Sequence, residues 1–432
     1  MTFLLICFVL FLVMGMPIAF VIGAAGFAYF FTQPILPFEA AVQMVLLQSQ
    51  SFAFLAVPFF IFAGNLMNVS GITERLLGLA RLLTRRMYGG TAQISVVLST
   101  LMGGVSGSAT ADAAMETRIL GPEMMRIGYS KGYITAVNCT SALITATIPP
   151  SLGLIIFGFI GEVSIGRLFA AGIIPGILMM VFLMATTSIT SRIKKYDPPK
   201  PDAPKLTWRE LGGNLKESIW ALLFPIILIV GIRFGLFTPS ESGAFAVIYA
   251  LVIGFFVYKE LTWENFKDAL ITTIKDNGAI MLIIAMSGPF SYAITWVQLP
   301  AVLSRFIFGI TENPHLLTLI MLGFLFISGM FVDSNVNFLL LTPIFLPMVT
   351  SVGMDPVHFG VLMATIVTLG VMTPPVGAAL YTVCGIIDCP VEEYTRESIP
   401  FLIAILLELV ILVFTPKLVL WIPNMIFGPT LG

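Results

Sequence analysis

Long apolar runs recur along almost the whole chain and are separated by short polar segments. Each comes near or above the roughly 20 residues that a helix needs to cross a bilayer. The runs are 3–31, 52–67, 133–160, 166–190, 218–236, 242–257, 278–297, 357–386 and 398–427. Runs of this length indicate helices and not the short strands of a barrel. We therefore predict an all-α, polytopic membrane protein embedded in the lipid bilayer.

Composition supports this class. Of the 432 residues 58% are hydrophobic and 10% are charged, against roughly 25% charged in a soluble domain. The N-terminal MTFLLICFVLFLVMGMP lacks the basic start and cleavage site of a signal peptide, so we expect a retained first helix. The net charge of −1 does not indicate any particular partner, and we do not expect the protein to bind nucleic acid. The four cysteines are expected to be small core residues: Cys7, Cys139, Cys384 and Cys389.

One longer polar segment, 191–217, divides the chain, and the halves on either side share a pattern of helix breakers. We predict a first repeat over 1–190, a cytoplasmic linker, and a second repeat over 218–432. IPPSLG at 148–153 is echoed by TPPVG at 373–377, at an offset of 225 residues. The same offset pairs Pro149 with Pro374, Pro150 with Pro375, Pro122 with Pro347, Pro175 with Pro400, and Gly104 with Gly329. This recurrence favours an internal duplication.

Basic residues indicate how the two copies are oriented. Between 73 and 131 there are seven of them, whereas the window 225 residues later, 298–356, has only Arg305. Basic loops stay in the cytoplasm, so we predict that the second copy is inverted. Inverted repeats with discontinuous helices are typical of secondary transporters, whose sites lie near the middle of the membrane.

Two segments are predicted to turn back inside the membrane. The first, at about 91–117, has basic residues at both ends and a tip of Gly and Ser, GGVSGSATAD; the second, at about 316–350, has the tip GMFVDSNVN. Two helices, about 133–160 and about 357–386, are predicted to break at their proline pairs. Proline donates no N–H group, so carbonyls one turn earlier, near Thr145 and Ala146, can face a cation.

These features together resemble a known family. The strings GGVSGSATAD, IPPSLG, FVDSN and MTPPVG look like those of the large membrane subunit of tripartite ATP-independent periplasmic (TRAP) transporters, of the dicarboxylate and sialic acid type, over essentially the whole chain. The resemblance implies an elevator-type fold and sodium-coupled import of an organic acid, sialic acid or a C4-dicarboxylate. It also implies a periplasmic substrate-binding protein, a separate small four-helix membrane subunit, the bacterial inner membrane, and no enzymatic activity.

Site residues follow from the resemblance and the offset. Carbonyls of Gly329, Gly370, Thr373 and Val376 are implied for one of about two sodium ions, and a twin site is expected around Gly104, Thr145, Ile148 and Ser151. Substrate is expected to meet Ser106, Ser108, Ser151, Asp333 and Asn335. Asp333 is the strongest candidate because a charge inside the membrane is costly without compensation. It could instead brace the hairpin, and each serine could instead bond to its own helix.

The sequence is also compatible with two other functions. GVSG at 104–107 fits a short serine protease string, which would need a histidine base near the serine. His315 and His358 are predicted to be surface residues in loops, which counts against an intramembrane serine protease. A passive channel is the third candidate. Asp112 and Glu116 are expected to pair with nearby basic side chains.

Overall fold

The computed structural model of the chain describes residues 2–50, 55–199, 207–309, 311 and 313–429. Parts of the predicted linker (200–206) and of the predicted apolar run at 52–67 (its residues 52–54) lie outside these ranges. The described secondary structure is helical, and the prediction of an all-α membrane protein is confirmed. Seven described helices are long and apolar enough to cross a membrane, and two bent pairs could each form one more span.

Eleven helices precede the linker. They are α1 (Thr2–Val13), α2 (Ile18–Thr32), α3 (Phe38–Gln50), α4 (Ala56–Val69), α5 (Ile72–Thr84), α6 (Gly90–Met102), α7 (Ala109–Ile127), α8 (Lys131–Ser141), α9 (Leu143–Thr147), α10 (Leu152–Ile160) and α11 (Ile165–Lys194). The predicted run 3–31 is divided between α1 and α2, because Gly15 adopts a positive φ of 75° and Pro17 is the N-cap of α2.

Eleven helices follow the linker. They are α12 (Trp208–Arg233), α13 (Pro239–Val252, continued by the π-helical turn Ile253–Val257), α14 (Trp263–Trp296), α15 (Leu299–Phe308), α16 (Pro314–Phe331), α17 (Ser334–Ser351), α18 (Pro356–Val371), α19 (Ala378–Ile387), α20 (Val391–Phe414), α21 (Pro416–Val419) and α22 (Trp421–Phe427). The predicted run 398–427 ends its long helix at Phe414, because Pro416 cannot continue the hydrogen-bond ladder.

Two helical hairpins occur at the two segments that were predicted to turn back inside the membrane. In the first, Ser95 and Ser99 of α6 donate hydrogen bonds to Glu116 of α7, so the two arms run side by side. In the second, Thr318 near the start of α16 reaches Met354 just after α17, at 3.5 Å between Oγ1 and Sδ. Ser328 and Asn337 meet at the other end of the same arms, with 2.5 Å between Oγ and Oδ1. The two arms of each hairpin are therefore antiparallel, and each hairpin starts and ends at the same face of the protein.

The proline pairs interrupt two helices. Helices α8 and α9 are separated from α10 by residues 148–151, with a bend of 44°. Ile148 before the prolines is extended (φ −74°, ψ 134°), as expected because a following proline disfavours the helical conformation. Residues 372–377 likewise separate α18 from α19.

The broken helices run in opposite directions. Lys131 at the start of α8 donates to the Asp388 carbonyl at the end of α19, at 2.9 Å. The start of one broken helix thus lies beside the end of the other. The helices that follow them have the same relation, since Lys194 at the end of α11 forms an ion pair with Glu397 near the start of α20, at 2.6 Å. This is the relation that an inverted repeat requires, although the repeat itself stays a prediction.

Side-chain burial bears out one prediction and contradicts another. All four cysteines are buried, which confirms that they are core residues. The prediction that both histidines are surface residues in loops is wrong for His358, whereas His315 is partly exposed but lies in a helix. His358 lies in the first turn of α18, is 2% exposed, and contacts the Leu412 carbonyl through Nε2 at 2.9 Å. His315, in the first turn of α16, contacts the Val413 carbonyl at 3.2 Å, so both rings satisfy carbonyls at the end of α20.

Orientation can be measured with single cysteines at four exposed positions. Cysteine at Arg86 or Arg126, near the outer ends of the first hairpin, should react with a cytoplasmic reagent, because basic ends stay inside. Cysteine at Glu241 or Arg305 should react only with an external, impermeant maleimide. Labelling of positions 86 and 126 from opposite sides would mean that this segment crosses the membrane and is not a hairpin.

Candidate functional site

A cavity of about 550 Å³ lies between the two hairpin tips. Both tips, both proline breaks and the helices α4 and α14 contribute to its lining. Every residue predicted to meet substrate is among the lining residues: Ser106, Ser108, Ser151, Asp333 and Asn335. The structure therefore brings together residues that are far apart in sequence, although their binding role stays a prediction.

The first tip consists of the short connection between α6 and α7. Gly107 has a φ of +68°, which L-residues rarely adopt, and the chain reverses there. Ser108 is the N-cap of α7, and its side chain accepts a hydrogen bond from the Ala111 N–H at 3.5 Å. The Ser106 and Ser108 side chains are both half-buried at the cavity.

The second tip has the same design with a different cap. Asp333 is the N-cap of α17, and its Oδ1 accepts from the Asn335 N–H at 2.9 Å. Asn337, one turn into the helix, donates from Nδ2 to the Val332 carbonyl at 2.9 Å. The Asp333 side chain is open to the cavity. It therefore has both roles that the sequence left open: it caps a hairpin arm and presents a carboxylate to the cavity.

Each tip packs directly on the break of its own half. A Cβ placed on Gly107 would lie 2.6 Å from the Pro150 carbonyl oxygen, and one on Gly329 would lie 2.6 Å from the Val367 carbonyl oxygen. The Gly377 N–H also donates to the Met330 carbonyl at 3.1 Å, which ties the second break to the second tip. In the second half, one backbone N–H of the break is thus satisfied by a carbonyl next to the tip.

The predicted sodium residues fall at these two contacts. In the second half, Gly329 and Gly370 touch through their backbones, Thr373 is buried, and Val376 has an exposed side chain. A Cβ placed on Gly370 would lie 2.6 Å from the Gly329 Cα. The backbones of the second tip and of the end of α18 are therefore in direct contact at these residues, and their role in binding sodium stays a prediction.

The first-half set is packed differently. Gly104 lies against Pro225 of α12, and Ile148 lies against the neighbouring Gly103. The Thr145 hydroxyl is buried and donates to the Ser99 carbonyl at 3.1 Å. Ser151 is also buried, and its hydroxyl donates to the Ala146 carbonyl in α9, on the other side of the proline pair.

Several polar lining residues were not expected from the sequence. Asp276 of α14 lines the cavity opposite the tips, and Asn65 of α4 donates to it at 3.4 Å. Asn68, Thr368 and Thr382 also line the space. A carboxylate just before the apolar run at 278–297 was a usable signal for Asp276, but which face of a long helix meets a cavity depends on tertiary packing.

The charged side chains among the described lining residues are all acidic. Asp276 and Asp333 supply two carboxylates, and none of the described lining residues is Lys or Arg. Hydroxyl and amide groups make up the rest of the polar lining. An anionic ligand in such a space would be repelled unless cations enter with it, because charges interact strongly in a medium of low dielectric constant.

Asp112 and Glu116 of the first hairpin do not form the predicted pairs with basic side chains, so that prediction is wrong. Both are fully buried. Glu116 accepts hydrogen bonds from Ser95, Ser99 and Ser141, at 2.6, 2.7 and 3.2 Å. Both oxygens of Asp112 lack a hydrogen-bond partner among the described residues. The helix turns this face of α7 into the protein and away from the arginines at its end.

Comparison with known proteins places the chain in a large group of relatives. The family model for the tripartite ATP-independent periplasmic transporter, DctM component, matches residues 5–418. The sialic acid TRAP transporter large permease protein SiaM of Vibrio cholerae is 34% identical over 96% of both chains. The C4-dicarboxylate TRAP transporter large permease protein DctM of Pseudomonas aeruginosa is 31% identical over 87% of both chains.

One solved structure shares the fold without close sequence similarity. The Alcanivorax borkumensis YdaH transporter, described as having an unusual topology, aligns with a TM-score of 0.62 at 15% identity, over 95% of this chain and 97% of that one.

The contact between the second tip and the second break can be tested with two alanine substitutions on α16. Gly329→Ala places a Cβ 2.6 Å from a backbone oxygen and 3.0 Å from the Gly370 Cα, so backbone must move. We expect the variant to be destabilised by about 1–3 kcal/mol. Gly323→Ala, on the same helix with nothing within 4 Å, should unfold at the wild-type temperature or slightly above it. Thermal unfolding of the purified variants measures both, and equal stability of the two would contradict the tight contact.

Proposed function

The chain belongs to the family of large permease subunits of TRAP transporters, and from that premise we propose that it imports an organic acid together with sodium ions. The charge of the cavity is the observation that carries this proposal. Two carboxylates face the space, and no described basic side chain does. An organic anion can bind there with favourable energy only when cations compensate these charges.

Two clusters of oxygen atoms are the proposed positions of those cations. Gly329, Gly370, Thr373 and Val376 would hold one ion, and Gly104, Thr145, Ile148 and Ser151 would hold the other. Each cluster lies where a tip meets a break, so an ion there would fasten the tip and at the same time bring positive charge beside the cavity. Substrate binding and cation binding would then support each other.

The substrate is proposed to be sialic acid or a C4-dicarboxylate, the acids named for the two relatives. Ser106, Ser108 and Asn335 offer hydroxyl and amide donors that suit carboxylate and sugar hydroxyl groups. A volume of about 550 Å³ lies within the range of small-molecule sites. Asp333 and Asp276 can accept hydrogen bonds from hydroxyl groups of the substrate.

An elevator motion is supported by how the helices group. The arms and broken helices pack on one another, α16 on α18 and α7 on α8 and α19, whereas α14 packs on α2, α3 and α4. The cavity lies between these groups, with Asn65 and Asp276 on one side and the tips on the other. Substrate bound to the tips could therefore move with the first group past the second.

The rival functions fit less well. Ser106 would need a histidine base to act as a protease nucleophile. Both histidine rings instead contact carbonyls at the end of α20. A passive channel would not require cation coupling, so sodium dependence of uptake separates it from the proposal. The remaining elements of the proposal are a periplasmic binding protein, a separate small membrane subunit, and a location in the bacterial inner membrane.

Asp333→Asn tests the charge at the second tip. Asparagine caps helices as well as aspartate does, so the fold should be kept while the charge is lost. We expect sodium-driven uptake into proteoliposomes to fall about tenfold or more, the effect of losing one charge-assisted interaction. Asp355→Asn is the matched control, because Asp355 caps α18 in the same manner and does not line the cavity. If Asp333→Asn takes up substrate at an unchanged rate and with unchanged sodium dependence, Asp333 only stabilises the hairpin.

The partners are tested by reconstitution. We expect the chain in proteoliposomes to take up little or no labelled sialic acid or succinate by itself. Addition of the small subunit and the cognate binding protein under an inward sodium gradient should restore uptake, and collapse of the gradient should abolish it. Robust uptake by the chain alone would contradict the tripartite arrangement, and uptake without sodium would contradict the coupling.

A further inference from the structure

The side of the cavity opposite the two tips carries polar side chains that the sequence alone did not predict. Asn65 and Asn68 lie one turn apart on α4, and Asp276 lies on α14. Helices α4 and α14 pack against each other, so we call these three residues together the polar wall. The few polar groups of a small-molecule site fix the orientation of the ligand and determine specificity. The chemistry of the polar wall therefore bears on which acid the cavity accepts.

Asn65 uses its amide nitrogen on the neighbouring helix. Its Nδ2 donates to the Thr273 hydroxyl at 3.0 Å and to Oδ2 of Asp276 at 3.4 Å. The second bond is longer than an ordinary N–H···O bond and therefore holds Asp276 only weakly. Asp276 is exposed, and no described Lys or Arg forms an ion pair with it. Its carboxylate therefore keeps acceptor positions for a donor that enters the cavity.

Asn68 has a polar group that the described protein leaves without a partner. Its Oδ1 is buried and has no hydrogen-bond partner among the described residues. A rotation of the amide by half a turn exchanges its oxygen and nitrogen atoms, so Asn68 can offer the cavity either an acceptor or a donor. A ligand group that both donates and accepts would match Asn68 in either orientation.

A hydroxyl group matches the polar wall, whereas a carboxylate does not. A hydroxyl can donate to Asp276 and accept from an amide N–H, but an ionised carboxylate only accepts. A ligand carboxylate beside Asp276 would also meet a like charge, and none of the described lining residues is Lys or Arg. The polar wall thus favours the hydroxyl-bearing part of an acid and disfavours a second carboxylate.

The first tip is the better place for the one carboxylate of such an acid. Ser106 and Ser108 supply hydroxyl donors there, and no acidic residue of the first tip lines the cavity. A C4-dicarboxylate brings two negative charges to a space that already contains two carboxylates. A hydroxylated monocarboxylate brings one negative charge and offers O–H donors to both Asp276 and Asp333.

We propose that the cavity selects a hydroxyl-rich monocarboxylate, an acid of the sugar acid class, over a C4-dicarboxylate, and that Asn65, Asn68 and Asp276 determine this specificity by binding the hydroxyl groups. This inference rests on the proposed function, because it chooses between the two classes of acid named there. The Asp276 carboxylate accepts a charge-assisted hydrogen bond from a hydroxyl group and repels a second carboxylate.

Ligand-induced stabilisation of the purified complex of chain and small subunit measures this selectivity without transport. Thermal unfolding is followed at constant sodium chloride concentration against rising N-acetylneuraminate, D-galacturonate or D-gluconate, and against rising succinate or fumarate. We expect at least one hydroxylated acid to reach half-maximal stabilisation at a concentration about tenfold or more below that of either dicarboxylate. Tighter binding of succinate or fumarate would overturn the inference and leave the proposed function intact.

Asp276→Asn tests the acid of the polar wall. Asparagine keeps the shape and removes the charge, so the best hydroxylated acid should need about tenfold more for half-maximal stabilisation. Succinate should bind as before or more tightly, because a like charge has been removed. Asp268→Asn is the matched control, since Asp268 is an exposed acid on the same helix that does not line the cavity. Both classes of acid should bind to this control as they bind to the wild type.

Asn68→Ala is a second variant, and its result does not depend on whether Asp276→Asn folds. Loss of one neutral hydrogen bond should weaken binding of the hydroxylated acid about threefold to tenfold and leave succinate unchanged. If the two variants change the binding of both classes of acid equally, or change neither, the polar wall does not determine specificity and the inference is wrong. A wild-type complex that neither class of acid stabilises, and that takes up neither with its binding protein and a sodium gradient, would overturn the proposed function itself and this inference with it.

Discussion

Backbone polar groups inside a membrane must find partners, and the rest of this structure depends on how they do so. A tip or a broken helix exposes N–H and C=O groups at a depth where lipid offers none. Here each tip is placed on the break of its own half, Gly107 against Pro150 and Gly329 against Gly370. Glycine is required at these contacts because any side chain would separate the two backbones. Irregular backbone at this depth is tolerated because it meets other irregular backbone or faces a polar cavity.

That arrangement also explains where the chemistry is found. Helix N-termini at the tips leave N–H groups that need caps, and Ser108 and Asp333 supply them. The same caps line the cavity, so residues that stabilise the hairpins are also the polar groups available to a ligand. Helices α4 and α14 close the space from the other side with Asn65 and Asp276. The wall of the cavity therefore has the tips on one side and α4 and α14 on the other.

The sequence was sufficient for the membrane class, both hairpins and both breaks, because these depend on local chemistry: long apolar runs, proline without an N–H group, and glycine at turns. It also identified the five residues that line the cavity from the tips and the first break. It failed for Asp112, Glu116 and His358, each of which was expected to meet solvent or a basic partner. Their burial depends on which face of a helix packs inward, and that is decided by contacts with helices far away in the sequence.

The two hairpins differ most in where each places its carboxylate. The first has Ser108 at the cap and Asp112 one turn later, whereas the second has Asp333 at the cap and Asn337 one turn later. Each hairpin therefore carries one acid at this pair of positions, toward the cavity in the second and toward the protein interior in the first. An acid at both caps would add a third carboxylate to a cavity without described basic residues, and would make it still less favourable for an anion. With the first acid turned inward, neutral serine hydroxyls are left on the cavity side of the first tip. The exchange of positions between the halves thus makes one tip suited to donate hydrogen bonds to a ligand and the other suited to accept them.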